Sequence, residues 1–238
     1  MGYEIKLSRL TELGLFETDL YFTAAFNATE AMRVNRAVEV ELINKRAEKA
    51  RDIAAASSNF ADSLFGTIRG GDCCVINGIN VSMSFLYNLN YEDFINHARN
   101  FFDYLAHIIY LVYLRDKKKI DEIDFGKLIK NRSLIDNAEI SDLISTIETN
   151  DLFTYISDYN NITKHNHGIN TPINTNFRTF EMVGMVFPFS KEIKGVERTH
   201  DLALMRDKMK EIHQFVLDSQ QAFLKEFDKI YTQEGNEK

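Results

Sequence analysis

A chain of 238 residues with only two prolines, Pro172 and Pro188, has no residue before position 172 that forbids a continuing helix. Proline removes a helical hydrogen bond and clashes with the preceding turn, so its scarcity favours long uninterrupted helices. With no tryptophan, large core side chains must come from 18 Phe and 10 Tyr. The length suffices for one sizeable core. No repeat, low-complexity segment or internal linker stands out. The expected fold is therefore a single mainly α domain over 1–238: a bundle of long antiparallel helices with a small β-hairpin or sheet element.

Hydrophobic spacing places the elements. Leu10, Leu13, Phe16, Leu20, Ala24 and Ala28 recur every three or four residues, and the pattern continues from Ala37 to Phe65, predicting helix over 8–69. Gly70-Gly71 should stop it. Asn77-Gly78 lies between Cys74-Val75-Ile76 and Ile79-Asn80-Val81, the signature of a tight hairpin. Tyr91–Lys117 reads as the central apolar helix, capped by Asn90 and closed by Arg115, Lys117, Lys118 and Lys119, a basic end that suits the helix dipole and is also able to touch phosphate. Shorter helices are expected over 122–158, capped at Asp124, Ser133 and Asn150 or Asp151. NTPINTNF reads as a loop. RTFEMVGMVFPFSKEI reads as one or two strands limited by Pro188 and available to pair with the Cys73–Phe85 hairpin. The closing helix is expected from Thr199, as its cap, to Tyr231.

Net charge is −7, which argues against coating nucleic acid non-specifically while leaving room for a local basic pocket. The start, MGYEIKLSRL, lacks a signal peptide's apolar core, and Lys6 stands where a myristoylation signal wants Ser or Thr. The run Phe101–Leu114 is too short to span a membrane. A soluble, cytoplasmic protein with no membrane partner is expected. Adjacent Cys73 and Cys74 read as reduced small residues rather than a redox pair.

The least ordinary stretch is YNNITKHNHGIN, Tyr159–Asn170. It has three readings. His165 and His167 share a face if the segment is extended, but zinc would need a third ligand such as His200, so no metal and no cofactor is expected. Alternatively the polar residues merely cap a helix end and pack a loop before Gly168. The third reading is metal-free cleavage of RNA, which needs an acid or base near neutrality and a cation for the phosphate; His165 and Lys164 are of those types. If the segment is helical, Asn160 and Lys164 share a face and His165 sits about 140° round from Asn160. One copy is then a poor complete site, and two copies across a dimer axis a better one.

Asn160-Asn161-Ile162-Thr163-Lys164-His165 resembles the R-N-x-x-K-H form of the R-x(4–6)-H motif of HEPN domains (higher eukaryotes and prokaryotes nucleotide-binding), in particular HEPN-like proteins of Firmicutes. The aromatic-rich helix before it and the long helix after it fit, and the resemblance covers mainly 90–232, with 1–70 a helical N-terminal extension. It implies a dimerising helical bundle whose motifs meet in a cleft. Active members are metal-independent ribonucleases, often toxins or antiphage effectors. The carry-over puts His165 at the catalytic histidine, Lys164 at the common lysine, and Asn161 at the polar position after the arginine. Asn160 stands where the arginine belongs and lacks its charge and bidentate fork. The resemblance thus implies an RNA- or nucleotide-binding protein or ribonuclease, or else a non-catalytic interaction protein with a cognate regulatory partner. Arg99 and His107 form a second candidate pair at a longer spacing.

Overall fold

The computed structural model describes residues 16–56, 73–165, 169, 171–175, 182–193 and 195–233. The architecture is mainly α with small antiparallel sheets. In chain order the elements are α1 (Phe16–Ala56), β1 (Cys73–Ile76), β2 (Ile79–Ser82), α2 (Met83–Tyr113), α3 (Phe125–Lys130), α4 (Ala138–Glu148), α5 (Asp151–His165), β3 (Ile173–Thr175), β4 (Met182–Val186), β5 (Phe189–Ile193), β6 (Val196–His200), β7 (Ala203–Leu204) and α6 (Met205–Gln233). No helix among the described residues is long and apolar enough to cross a membrane. The Gly70-Gly71 stop lies outside them.

The β1–β2 hairpin turns on Asn77 (φ 47) and Gly78 (φ 80), the two positive φ values that this dipeptide accepts. Several other boundaries differ from expectation. Helix α2 starts at Met83, directly after β2, where Ser82 Oγ accepts from the Phe85 amide at 3.4 Å. Asn90 is therefore inside the helix rather than its cap. Its amide pairs instead with Asn35: Asn35 Nδ2 donates to Asn90 Oδ1 at 2.9 Å and Asn90 Nδ2 to the Asn35 carbonyl at 2.8 Å. Asp124 caps α3 as expected, but Asn137, not Ser133, caps α4. NTPINTNF is not wholly loop, because β3 pairs with β4. Strands β4 and β5 are separate, flanking Phe187-Pro188, and pair with β3, β7 and β6 rather than with the first hairpin. Thr199 belongs to β6, so α6 begins at Met205.

By compactness the chain divides into two units. One gathers residues up to Ala31, His97–Ser157 and those from Ile212 on; the other comprises Met32–Asn96 and Asp158–Glu211. The first is built around Phe102, fully buried, whose ring meets Phe101, Phe125, Phe153 and Phe215 at centroid distances of 5.2–5.8 Å. Such offset and edge contacts add to the area each ring removes from water. Asp103 ties this unit together: it receives Arg99 through Nε (3.1 Å) and Nη2 (3.0 Å), and the Phe125 amide at 3.0 Å.

The second unit has a core of Met32, Leu42, Met83, Tyr87, Tyr91, Phe94, Ile95, Tyr159, Val186, Met205 and Met209. Within it, Tyr87 Oη donates to the buried Glu39 carboxylate at 2.9 Å. Burial pushes the Glu39 carboxyl above its ordinary value near 4.5, only partly offset by the Tyr87 hydrogen bond and by Arg206 and Arg36. Burial and the Glu39 charge push the Tyr87 phenol well above its usual range, so it remains a donor. The folded chain thus holds the Glu39 proton to higher pH than the unfolded chain does. Stability from this group is full below the unfolded value and is lost as pH rises through the folded one. Replacing the carboxyl by an amide should remove that loss. Urea midpoints measured from pH 4.5 upward should therefore fall less steeply for Glu39→Gln than for wild type; parallel curves would contradict this account.

Candidate functional site

Helix α5 carries the motif. Asn150 Oδ1 accepts from the Leu152 amide at 2.8 Å, starting the helix, and Phe153, Tyr155, Ile156 and Tyr159 bury one side of it. Cover thins toward the last turn, where Ile162 and Thr163 are half-buried. Asn161, Lys164 and His165, related as i, i+3 and i+4, form one exposed stripe. Lys164 and His165 occupy the last turn, where cations favour the negative end of the helix. Asn160 is elsewhere. It is 5% exposed, and its Oδ1 is buried with no hydrogen-bond partner among the described residues. Helical spacing relates Asn160 to Lys164, but packing separates them: one enters the core and the other reaches solvent. His167 lies outside the described residues.

One turn before the stripe, in the second unit, is a cluster that motif reading missed. Asp158 has a side chain only 1% exposed, and both of its oxygens are engaged. Oδ1 receives Arg198 Nη2 at 2.8 Å and has Lys191 Nζ at 3.8 Å; Oδ2 lies 3.1 Å from His200 Nε2. The three partners come from the β5–β6 hairpin, whose connection contains Gly195 at φ 79. In its register Lys191 faces Arg198 and Phe189 faces His200. Strand alternation puts all four on one side. The Phe189 ring packs against His200 (4.6 Å) and edge-on to Tyr159 (5.9 Å), fixing the hairpin on the helix residue next to Asp158. The available signal was the alternation of Arg198 and His200 within VERTH, hidden by the expectation that Thr199 starts a helix.

The other candidates are committed to structure. Arg99 binds Asp103, donates to Ser157 Oγ at 2.9 Å and lies over the Phe153 ring at 5.6 Å. His107 stacks on Tyr21 at 4.3 Å, and burial lowers its pKa, partly countered by Asp103 and Asp124. Helix α2 ends at Tyr113 rather than at the expected Lys117, so the lysines lie beyond it: Lys117 bonds the Leu134 carbonyl and Asp136, and Lys118 bonds Asn131 Oδ1 at 2.8 Å, holding the connection between α3 and α4. His200 sits on Asp158 rather than in a ligand set, and among the described residues no three His, Cys, Asp or Glu gather as a metal site.

Compared with protein-family models, curated proteins and solved structures, the chain matches none.

Proposed function

We propose that this chain is a HEPN-like, metal-independent ribonuclease that binds RNA through the exposed end of α5 and acts in the cytoplasm as a homodimer. The observation that carries the reading is the stripe of Asn161, Lys164 and His165, which offers an amide, an ammonium and an imidazole to solvent side by side. Lys164 neutralises a backbone phosphate and Asn161 hydrogen-bonds it. His165 takes the proton of the neighbouring 2′-hydroxyl, whose oxygen attacks phosphorus; the 5′-oxygen leaves on receiving a proton, giving a 2′,3′-cyclic phosphate and a 5′-hydroxyl. A single imidazole performs one of those two proton transfers at a time, which is the reason for a second copy. The family resemblance extends the reading to a toxin or antiphage role with a cognate regulatory protein.

The test is total RNA and tRNA incubated with purified protein in EDTA. Cleavage should persist under chelation and fall by about 10²–10⁴-fold in His165→Ala, the usual range for loss of a general acid or base. Mapped ends should be cyclic phosphates. No cleavage above that of the variant defeats the ribonuclease reading. Asn160, neutral and buried where the motif has an arginine, leaves Lys164 without a second cation beside it and favours one second reading: a non-catalytic interaction protein. That reading predicts RNA or partner binding without turnover.

A further inference from the structure

We infer that the inner face of the β5–β6 hairpin is a phosphate-binding site built from Arg198 and Lys191. Lys191 and Arg198 stand directly opposite each other across two strands, an arrangement that is unfavourable by itself. Asp158 supplies one negative charge against these two permanent positive ones, and no other carboxylate among the described residues forms an ion pair with either. The hairpin's own acids, Glu192 and Glu197, face each other in register at the alternate positions, on the other side. A net positive charge therefore remains on the inner side.

The donors are also largely unspent. Among the described residues Arg198 makes one hydrogen bond, from Nη2, and its buried Nε has no partner. Lys191 Nζ, at 3.8 Å from Asp158, is beyond hydrogen-bond range. Arg198 nevertheless keeps 40% of its side chain exposed and Lys191 25%, so both reach solvent while Asp158 fixes their positions from below. The Arg198 Nη1, which Asp158 does not engage, beside the Lys191 ammonium matches the oxygens of a phosphate mono- or diester.

The position relates the site to the motif. Asp158 precedes Lys164 by six residues on α5, a rise of about 9 Å, so hairpin cations and motif lie within reach of one extended strand. A phosphodiester of bound RNA is the source that would join the two; this arm rests on the RNA reading above. A free phosphate compound is the alternative source of the same chemistry.

Full-length protein would be titrated with a single-stranded oligouridine of about ten nucleotides and, separately, with inorganic pyrophosphate. The readouts are the arginine Nε–Hε resonance of Arg198 by NMR and binding by anisotropy over a salt series. Arg198→Lys and Lys191→Gln are the variants, because both leave Asp158 a cationic partner and hence the fold; far-UV circular dichroism checks this. The expected result is an Arg198 shift on RNA addition, affinity about tenfold weaker in each variant, and a salt slope flattened by about 0.7 in Lys191→Gln, the value for one single-strand phosphate contact. An Arg198 shift with pyrophosphate but no RNA binding would keep the site, assign it a small phosphate compound, and remove the RNA reading. No Arg198 shift with either probe, or variants that bind the responsive probe as tightly as wild type, would overturn the site.

Discussion

Asp158→Ala should lower the unfolding free energy by about 3 kcal/mol, measured by urea denaturation with an unchanged slope. Removing one partner of a buried ion pair typically costs 3–5 kcal/mol, because the remaining charge is left buried and unpaired. Here two cations would be left, opposite each other in register, with His200 Nε2 losing its contact as well. The value is placed at the lower end because Arg198 and Lys191 are already partly exposed and can turn toward solvent. Location decides the magnitude. The Lys45–Glu41 pair, with side chains 60% and 59% exposed, has the same chemistry, yet its removal should change stability by about 0.3–0.5 kcal/mol. The accompanying double-mutant cycle pairs Asp158→Ala with Arg198→Met. If the cluster acts as a unit, the double variant should lose clearly less than the sum, with a coupling of about 1–3 kcal/mol. A loss in Asp158→Ala below about 1 kcal/mol would mean that the carboxylate is not holding the hairpin.

What was legible in the sequence follows the range of the interactions. The helices announce themselves through local periodicity, and the first hairpin through Asn77-Gly78, whose turn chemistry is complete within two residues. Asn90 misleads because Glu92 and Asp93 follow it as in a helix start, whereas the actual start is set by the end of β2 and by Ser82. Thr199 misleads for the same reason: its local environment resembles a cap, but pairing of Val196–His200 with Phe189–Ile193 overrides it. At the candidate site helical spacing relates Asn160 to Lys164 as readily as Asn161 to Lys164 and His165. That Asn160 is buried and the other three exposed does not follow from spacing, since it depends on which part of α5 the rest of the chain covers. The Asp158 cluster was least legible, because its partners lie 40 and 42 residues away and join through a hairpin whose second strand ends in Thr199-His200, locally like a helix start.

Gly184→Ala should cost about 3 kcal/mol, at the upper end for overpacking a core by one methyl group. A Cβ at this position in β4 would collide with Tyr87 Cε1 and lie 2.6 Å from Met205 Sδ and 3.0 Å from Tyr87 Cζ. Ordinary carbon contacts begin near 3.5 Å, so something must move. Met205 is unbranched and its thioether can swing aside. Tyr87 cannot do so cheaply: it is 2% exposed, and its hydroxyl is bonded to Glu39 at 2.9 Å. Displacing the ring breaks that bond and leaves a buried carboxylate short of a donor, which adds to the steric cost. The glycine is thus required by close approach rather than by its backbone angles. Compensation tests this. Tyr87→Leu removes the colliding ring atoms, so Gly184→Ala should cost at least about 1 kcal/mol less in that background than in wild type, whereas Met205→Leu should recover little. Equal costs in both backgrounds would show that the ring is not what the methyl group meets. The consequence reaches the candidate site, because β4 is joined to β5 by only Phe187 and Pro188. A strand held off Tyr87 shifts the hairpin that presents Lys191 and Arg198 to Asp158, so Gly184→Ala should also weaken oligouridine binding, whereas Phe102→Ala, destabilising by a similar amount, should not at temperatures where both variants remain folded.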